Sequence, residues 1–283
     1  MRNIVHKNIF VVKASGELEA FSEAKLRRSL QRVHASLGDV EAIVSDVVTS
    51  LHEGMTTKDI YSRAFSQLRR THRPTAARYS TKAALMELGP SGHPFEKFVG
   101  ALLTSEGFST DVSVIVPGVC VTHEVDVVAQ KSSRCVMVEC KFHNQPGIKS
   151  DVKISLYIQA RFEDVDRAWQ KMKEHSKQFH EAWLVTNTKL TSDAIAYAEC
   201  VKMKAIGWSY PQDNGLETHI DRAGLHPITC LTTLSTAQKR KLLDQDIVLC
   251  KEIVGHENLL RNVGLNDTKI GTVLGEIKEL CHL

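Results

Sequence analysis

The chain opens with a short alternation of apolar and polar residues and then changes to an apolar repeat of three to four residues. Residues 9–13 and 18–21 are rich in β-branched and apolar side chains, and Ser15 and Gly16 separate them, so they predict a β-hairpin. Four stretches with helical periodicity follow before residue 89. We expect the first helix to begin after an N-cap at Ser22, and the second to run through 43–51 and end at Gly54. The third should begin at a capping Thr57, and the fourth should begin after Pro74 and reach Leu88.

A Gly-Pro-Ser-Gly stretch at residues 89–92 is the clearest linker signal, and a different pattern begins after it. Pro94 suits the first turn of a helix whose apolar stripe ends near Gly107. The following runs predict strands at 112–116, 121–129 and 135–142, a helix at 151–178, a strand at 182–186, a helix at 193–203 and a strand at 206–210. This order, α-β-β-β-α-β-α-β, predicts an α/β (α+β) core. From Leu231 onward the chain predicts short helices separated by Gly255 and Gly264.

Length and composition indicate a globular protein of two or three compact units. The chain has 283 residues, of which 42% are hydrophobic and 24% charged, with no sign of disorder. No run approaches the roughly 18 apolar residues of a membrane-spanning helix, and the N-terminus lacks a secretory signal, so we expect a cytoplasmic protein that binds no membrane. The seven cysteines are scattered without a Cys-x-x-Cys pair, which favours reduced thiols over a zinc ribbon or a disulfide framework.

Positive charge is concentrated in the first third of the chain. The net charge is only +3, but residues 1–92 carry 14 Lys and Arg against 9 Asp and Glu, while the remainder carries 22 against 24. A basic N-terminal unit suits a polyanion, either a nucleotide or a nucleic acid. The alternative is a solvated surface with surplus Lys and Arg. The slight acidity of the remainder does not exclude a phosphate substrate, because a metal bound by carboxylates restores positive charge.

Two strand-like runs in the middle of the chain carry charged residues in a pattern that suits metal chemistry. Glu139 and Lys141 lie two apart and share one face of a strand, and Glu124 and Asp126 share a face in the same way. If the strands pair with Asp126 beside Glu139, two carboxylates and an ammonium converge. Mg²⁺ or Mn²⁺ bound there could take substrate phosphates in its open positions. Lys141 could orient or deprotonate the attacking water, or offset charge on the phosphate.

The alternative interpretation of this pattern is a surface ion pair, which contributes only about 0–1 kcal/mol. A bare D…ExK match is common, but its context favours a functional site. Val125, Val127 and Val138 are typical of buried central strands, and charged groups placed among them cost free energy without a role. The polar residues 143–147 could contact phosphate or could simply form a turn.

Residues 94–210 resemble the PD-(D/E)XK, or restriction-endonuclease-like, nucleases, and among them the Mrr-like group. The resemblance rests on Phe95-Glu96, on Glu124-Val125-Asp126-Val127-Val128-Ala129 and on Val138-Glu139-Cys140-Lys141. It implies that Asp126 and Glu139 coordinate a metal ion, that Lys141 is catalytic, and that Glu96 assists metal binding. Glu96 is also the residue type that a helix dipole favours in a first turn, whatever its role. No Pro precedes Asp126, a departure that Mrr-like members commonly share. Tyr157 and Gln159 resemble accessory positions of the superfamily.

Residues 5–89 resemble the ATP-cone, a regulatory domain that binds nucleotides. The resemblance rests on the stretch 12–21, on Lys25-Leu26, on Gly54-Met55-Thr56-Thr57 and on the stretch 78–85. It implies a hairpin plus four helices and an adenine nucleotide, ATP or dATP. The residues expected to contact the nucleotide are Lys13 and Lys25 at the phosphates, Glu19 and Phe21 at the base, and Thr57. The family usually has Arg or Lys where this chain has Ala14, which removes one phosphate contact. The alternative is a degenerate cone kept as a scaffold or dimerisation module.

Together these patterns predict units at 1–89, 93–212 and 225–283, the last a small helical region. Residues 264–271 loosely resemble a helix-hairpin-helix, whose turn can hold DNA phosphate, although a packing or oligomerisation bundle is the alternative. We expect a Mg²⁺- or Mn²⁺-dependent deoxyribonuclease tuned by ATP or dATP, acting in DNA restriction, defence or repair. Copies of the chain would associate through the cone or the C-terminal helices. The alternatives are a nucleotide-sensing DNA-binding regulator that does not cleave and an oligomeric nucleotide-binding scaffold.

Overall fold

The computed structural model describes residues 9–170 and 179–282, and its first part is a hairpin followed by four helices. These elements are β1 (Phe10–Val12), β2 (Leu18–Ala20), α1 (Glu23–Arg32), α2 (Leu37–Ser50), α3 (Thr57–Thr71) and α4 (Arg73–Met86). The apolar faces of the helices and Val11 of β1 form one buried core. The predicted order of this part is therefore confirmed.

The second helix, α2, ends earlier than predicted. Its last residue is Ser50, and the expected stop, Gly54, lies in the connection that follows. Gly54 has a φ of 78°, and its N–H donates to the carbonyl of Phe10 at 3.0 Å. Gly54 is required there because its left-handed backbone lets the chain turn onto the edge of the hairpin.

The starts of α3 and α4 also differ from the prediction. Thr56, rather than Thr57, caps α3, because its hydroxyl accepts from the N–H of Asp59 at 3.0 Å and the Asp59 carboxylate accepts from Thr56 in return. The fourth helix begins at Arg73, with His72 as the capping residue. Both differences are one or two residues, the usual error of helix limits that are inferred from sequence.

The middle of the chain forms a sheet with helices on both faces. Its elements are α5 (His93–Ser105), β3 (Ser109–Pro117), β4 (Thr122–Lys131), β5 (Arg134–Lys141), β6 (Lys149–Ser150), α6 (Val152–Gln170), β7 (Phe179–Thr186), β8 (Lys189–Leu190), α7 (Ser192–Cys200) and β9 (Lys204–Ile206). The five-stranded sheet has the order β3-β4-β5-β7-β9. The first three strands are antiparallel, and β5, β7 and β9 are parallel. The predicted order of the core is confirmed, and β6 and β8 add a small parallel ladder.

The last strand of this core and the element that follows it differ from the prediction. The last strand covers Lys204–Ile206 rather than 206–210, because Gly207 donates to the carbonyl of Tyr210 at 2.8 Å in a turn. A helix that was not predicted, α8 (Leu216–Ala223), follows this turn. The helix predicted for 151–178 is described over Val152–Gln170, and residues 171–178 lie outside the described residues.

The two faces of the sheet bury separate apolar cores. Helices α5 and α8 cover one face, where Phe98 and Leu216 pack against Val138 and Trp183. Helices α6 and α7 cover the other face, where Ile158 packs with the side chains of Met137 and Leu184 among others. Because both faces are covered, the central strands β5 and β7 read as nearly continuous apolar runs, as parallel strands in α/β proteins do.

The fourth helix, α4, contributes to the cores of three parts of the chain. Ala76 belongs to the core of the N-terminal hairpin and helices, Leu85 to the core between the sheet and α5, and Ala84 to the core of the C-terminal region. A helix buried on several sides transmits a displacement of one neighbour to the others, since packed interiors have few voids to absorb it. The N-terminal unit and the sheet are therefore mechanically connected.

The C-terminal region is helical, as predicted. It contains 3-10 turns at Ile228–Cys230 and Cys250–Ile253 and the helices α9 (Thr236–Leu243), α10 (Asn258–Asn262) and α11 (Asp267–Leu280). Glu276 of α11 is buried and accepts four hydrogen bonds of 2.6–3.1 Å from the N–H and hydroxyl groups of Thr232 and Thr233. Among the described residues, no helix has the length and apolar character needed to cross a membrane.

Replacement of Glu276 by Ala should destabilise the protein strongly. The change leaves four donors around a buried position without their acceptor, and we expect the free energy of unfolding to fall by about 2–4 kcal/mol. Urea denaturation followed by circular dichroism measures it. The control is Lys278→Ala on the exposed side of the same helix, with an expected change within about 0.5 kcal/mol. An effect of Glu276→Ala no larger than that of the control contradicts the assigned role of the carboxylate.

Candidate active site

Strands β4 and β5 bring two acidic residues together. In their antiparallel ladder Val127 lies opposite Val138, so the next residues along the two strands are Asp126 and Glu139. The Asp126 carboxylate also accepts a hydrogen bond of 2.7 Å from the N–H of Cys140. This bond fastens Asp126 to the neighbouring strand, and the pairing on which a metal site depends is present.

The edge strand β3 is distorted opposite Asp126. Ser113 has a φ of 55°, and the ladder with β4 skips it. Val112 therefore packs in the core under α5, whereas Val114 packs on the opposite face with α6. A non-glycine residue with this left-handed backbone costs of order 1–3 kcal/mol and persists only where the surrounding structure holds it in place. Here the distortion points the hydroxyl of Ser113 to Glu96 Oε2, at 3.4 Å.

The first turn of α5 brings Glu96 to the same place. In addition to Ser113, Glu96 has His93 as a partner, with 3.4 Å between its Oε2 and the imidazole Nδ1. Its negative charge contributes to raising the pKa of both Asp126 and Glu139. Three acidic residues that are far apart in the sequence thus influence one another electrostatically.

Burial makes the charged forms of the two central carboxylates unfavourable. Burial raises the pKa of Asp126 to about 6, although the hydrogen bond from the N–H of Cys140 stabilises the carboxylate and acts in the opposite direction. Burial, followed by the nearby charge of Asp126, raises the pKa of Glu139 to about 8, against the opposing effect of Arg161. Two neighbouring buried carboxylates favour a proton or a cation between them.

Arg161 of α6 supplies positive charge to this cluster. Its guanidinium donates to Glu139 Oε2 and to the backbone carbonyl of Glu124, and it lies 5.3 Å from the centre of the Tyr157 ring. The second oxygen of the Glu139 carboxylate, Oε1, is buried and accepts no hydrogen bond from any described residue. A buried carboxylate oxygen that accepts no hydrogen bond has its lone pairs available to a cation.

The donor set of this cluster fits a hard divalent cation. Among the residues that the structure describes, no three His, Cys, Asp or Glu side chains form a complete metal site. Mg²⁺ and Mn²⁺ do not require one, because such ions bind through one or two carboxylates and complete their shell with water and phosphate oxygens. The carboxylates of Asp126 and Glu139, with the unused Oε1, are suited to this mode of binding.

Lys141 lies at the end of β5, two residues beyond Glu139. It is half-buried and pairs with Thr186 of β7 in the sheet register. Its ammonium forms no hydrogen bond or ion pair with the described residues, so it contacts neither carboxylate directly. The pKa of His143 is lowered mainly by its partial burial and secondarily by the positive charge of Lys141. The lysine therefore lies at the end of the strand that carries Glu139 and, among the described residues, is free to contact a ligand.

A polar pocket opens beside the carboxylates. It is lined by Glu96, Thr122, His123, Glu124, Asp126, Tyr157 and Arg161. Two uncertain members of the predicted site, Glu124 and Tyr157, thus line it. Gln159 does not, since its amide donates to Glu163 at 2.9 Å on the exposed side of α6.

The sequence reasoning missed several residues of this site. Arg161 follows Tyr157 by four residues, one helical turn, and this spacing is a signal that could have suggested it. No local signal pairs His123 with Asp164. The His123 Nε2 and Asp164 Oδ2 atoms are 2.9 Å apart. Asp164 also accepts from the N–H of Cys120 at 3.0 Å, and the histidine holds its pKa far below the usual range. This contact fixes α6 against the turn before β4.

In the N-terminal unit, three of the five predicted nucleotide residues contact one another. The carboxylate of Glu19 lies 3.1 Å from the Lys13 ammonium and accepts a hydrogen bond from Lys25. The two lysines lower the pKa of Glu19. Thr57 is the first residue of α3, next to the bridge between Val12 and Thr56. Phe21 is half-buried against the core of the unit.

Comparison with known proteins identifies the parts of this chain. A family model described as an ATP cone domain matches residues 9–82, and one described as a restriction endonuclease matches residues 89–206. A model described as AF1548-like, C-terminal, matches residues 226–281. The protein is thus an ATP cone fused to a restriction-endonuclease domain, as the resemblances predicted.

Two relatives assign the chain to a particular family. An uncharacterized protein of Archaeoglobus fulgidus is 39% identical over 180 residues, which cover 63% of this chain and 97% of that protein. A crystal structure described as a protein of unknown function, AF1548, matches with a TM-score of 0.55 and 36% identity, over 68% of this chain and 99% of that chain. The chain belongs to this AF1548-like family. Both relatives are covered almost completely, so this chain has a part that they lack.

The raised pKa of Glu139 predicts how stability depends on pH in the absence of metal. Since folding raises this pKa from 4.5 to about 8, the contribution of the protonated group to stability is lost as pH rises through this range. We expect the unfolding free energy of the wild type, minus that of Glu139→Gln, to fall by more than about 1 kcal/mol between pH 5 and pH 8. Urea denaturation in chelator measures it, with the exposed Glu163→Gln as control. A pH-independent difference contradicts the burial argument.

Proposed function

We propose that this protein is a metal-dependent deoxyribonuclease that hydrolyses DNA phosphodiester bonds and responds to ATP or dATP through its cone. The observation that carries the proposal is the half-buried carboxylate of Asp126 beside the buried carboxylate of Glu139, with the ammonium of Lys141, unpaired among the described residues, at the end of the strand that carries Glu139. A restriction-endonuclease domain around them supports this chemistry. We further propose units at 1–89, 93–212 and 225–283 and a role in DNA restriction, defence or repair.

Each residue of the site has a distinct proposed role. Asp126 and Glu139 hold Mg²⁺ or Mn²⁺, and Glu96, oriented by Ser113, assists them. When bound, such an ion acts as a Lewis acid and makes water a stronger nucleophile. Lys141, which forms no hydrogen bond or ion pair within the described part of the chain, orients the attacking water or stabilises charge on the phosphate.

Arg161 supports a phosphate substrate in the same pocket. Its guanidinium neutralises Glu139 while no metal is bound. With a cation held by Glu139, the guanidinium, which lies on the wall of the pocket, would be free to donate to a phosphate. Arginine suits this role because its planar donors match two phosphate oxygens at once.

The cone supports binding of an adenine nucleotide through Lys13 and Lys25. Both ammonium groups are held by Glu19. Nucleotide phosphates carry more negative charge than one carboxylate and can replace it as partner of the lysines. In this proposal Phe21 and Thr57 contact the rest of the nucleotide.

A direct contact connects the cone to the loop that follows Lys141. Gly147 of this loop has a φ of 86°, and a side-chain Cβ at its position would lie 2.9 Å from the carbonyl oxygen of Ala14 in the hairpin turn. The other end of the loop is fixed, because His143 exchanges hydrogen bonds of 2.9 and 2.7 Å with the buried Asn187. Nucleotide binding at Lys13 therefore has a short route to Lys141.

The alternative function is a DNA-binding regulator that senses nucleotide without cleaving. It is favoured by one observation, the ion pair that Arg161 forms with a candidate metal ligand. This alternative predicts DNA binding that is independent of metal and changes with nucleotide.

Lys141→Ala should abolish cleavage without abolishing metal binding. With plasmid, single-stranded and branched DNA and Mg²⁺ or Mn²⁺, we expect the rate to fall by about 100-fold or more, while calorimetry detects the metal bound as before. The matched control is Lys149→Ala, an exposed lysine eight residues further on. Equal cleavage by Lys141→Ala and the wild type rejects the catalytic assignment.

Gly147→Ala should uncouple nucleotide binding from cleavage. The added methyl group forces the loop away from the hairpin turn, so the ratio of cleavage rates with and without ATP or dATP should approach one, although calorimetry still detects nucleotide binding. The control is Gly255→Ala, which imposes similar backbone strain (φ of 80°) where no atom lies within 4 Å. A wild-type ratio in the Gly147→Ala variant contradicts this route of regulation.

A further inference from the structure

A second concave pocket lies on the cone, where α3 meets α4. It is lined by Ser66, Arg69, Arg70 and Arg73. The pocket forms because only His72 separates the end of α3 from the start of α4. The last turns of one helix and the first turn of the next thus direct three guanidinium groups toward one space, and no acidic side chain lines it.

These three arginines have no acidic partner within residues 9–170 and 179–282. Arg69 donates a long hydrogen bond of 3.5 Å to the carbonyl of Thr232 in the C-terminal region. Three other arginines of the cone have acidic partners: Arg27 with Glu23 and Glu41, Arg32 with Glu217, and Arg63 with Asp46. Among the described residues Arg28 and Arg78 form no ion pair either, so what distinguishes the pocket is that three unpaired guanidinium groups line one concavity.

The helix dipoles account for two of the arginines but not for the third. Arg69 and Arg70 lie in the last turn of α3, where a cation is stabilised by about 0.3–1 kcal/mol. Arg73 is the first residue of α4, at the positive end of that helix, where the dipole disfavours a cation. Three like charges around one concavity also repel one another. An anion in the pocket would relieve both effects.

The pocket is separate from the candidate nucleotide site. Thr57 begins α3 and Arg70 lies near its end, about 20 Å away at a rise of 1.5 Å per residue. Lys13 and Lys25 cluster with Glu19 in the part of the cone that contains the hairpin. The two positively charged clusters are therefore separate in space.

We propose that the arginine pocket binds phosphate groups of the DNA backbone outside the active site. The inference rests on the proposed function for its substrate class, DNA. Guanidinium groups match pairs of phosphate oxygens, and contacts to the backbone set the position of a protein on DNA without reading sequence. The side chains are exposed at the surface, which suits a continuous strand that passes across them.

The test measures DNA binding by the full-length protein in chelator, so that no cleavage occurs. Fluorescence anisotropy with a labelled duplex is recorded over a range of salt concentrations for the wild type and for Arg70→Gln/Arg73→Gln. We expect the slope of log K against log salt concentration to decrease by about one for each arginine removed, and affinity to fall by about tenfold or more. The control, Arg28→Gln/Arg63→Gln, removes the same charge elsewhere on the cone and should retain the wild-type slope.

Two results overturn the proposal. One is a pocket variant with the slope and affinity of the control. The other is loss of ATP binding in calorimetry with unchanged DNA binding, which assigns the pocket to free nucleotide. Failure of the nuclease proposal is distinguishable, because absence of cleavage with metal, together with a reduced salt slope in the variant, rejects the nuclease and retains the pocket.

Discussion

Two neighbouring carboxylates in a sheet, one buried and one half-buried, require a positive partner. The register of β4 and β5 imposes this arrangement on Asp126 and Glu139, and much of the surrounding structure responds to it. Arg161 reaches Glu139 from α6, and the N–H of Cys140 donates to Asp126. The strained backbone of Ser113 opposite Asp126 adds a hydroxyl that orients a third carboxylate, Glu96. A fold under no functional constraint would replace such a cluster with apolar residues, because buried ion pairs seldom stabilise a protein more than good packing does.

The same site is connected to the cone by shared packing and by a direct contact. Helix α4 belongs at once to the cores of the cone, the sheet and the C-terminal region, and the hairpin turn touches the loop after Lys141 at Gly147. In the proposed function, a change in the cone would be transmitted both through a packed helix and through a direct backbone contact. Two such connections would explain physically how a nucleotide-binding unit controls a site that it does not contain.

Periodicity predicted the hairpin, the four helices and the order of the core because these elements are amphipathic, or buried, over their whole length. The Asp126 and Glu139 pairing could be stated only as a condition, since register depends on contacts between strands. Helix α8 was missed because few of its residues are apolar, although Leu216 and Ile220 bury it against the sheet. Arg161 and the pair of His123 with Asp164 depend on how α6 docks on β4, which no local pattern encodes.

The central claim is that the neighbouring carboxylates of Asp126 and Glu139 form a divalent-metal site. The most direct measurement is an anomalous difference map from crystals of this protein soaked in Mn²⁺. The account predicts a peak between the carboxylates of Asp126 and Glu139, with the Arg161 guanidinium displaced from Glu139. A map without this peak at saturating Mn²⁺, with Arg161 still bound to Glu139, would contradict it.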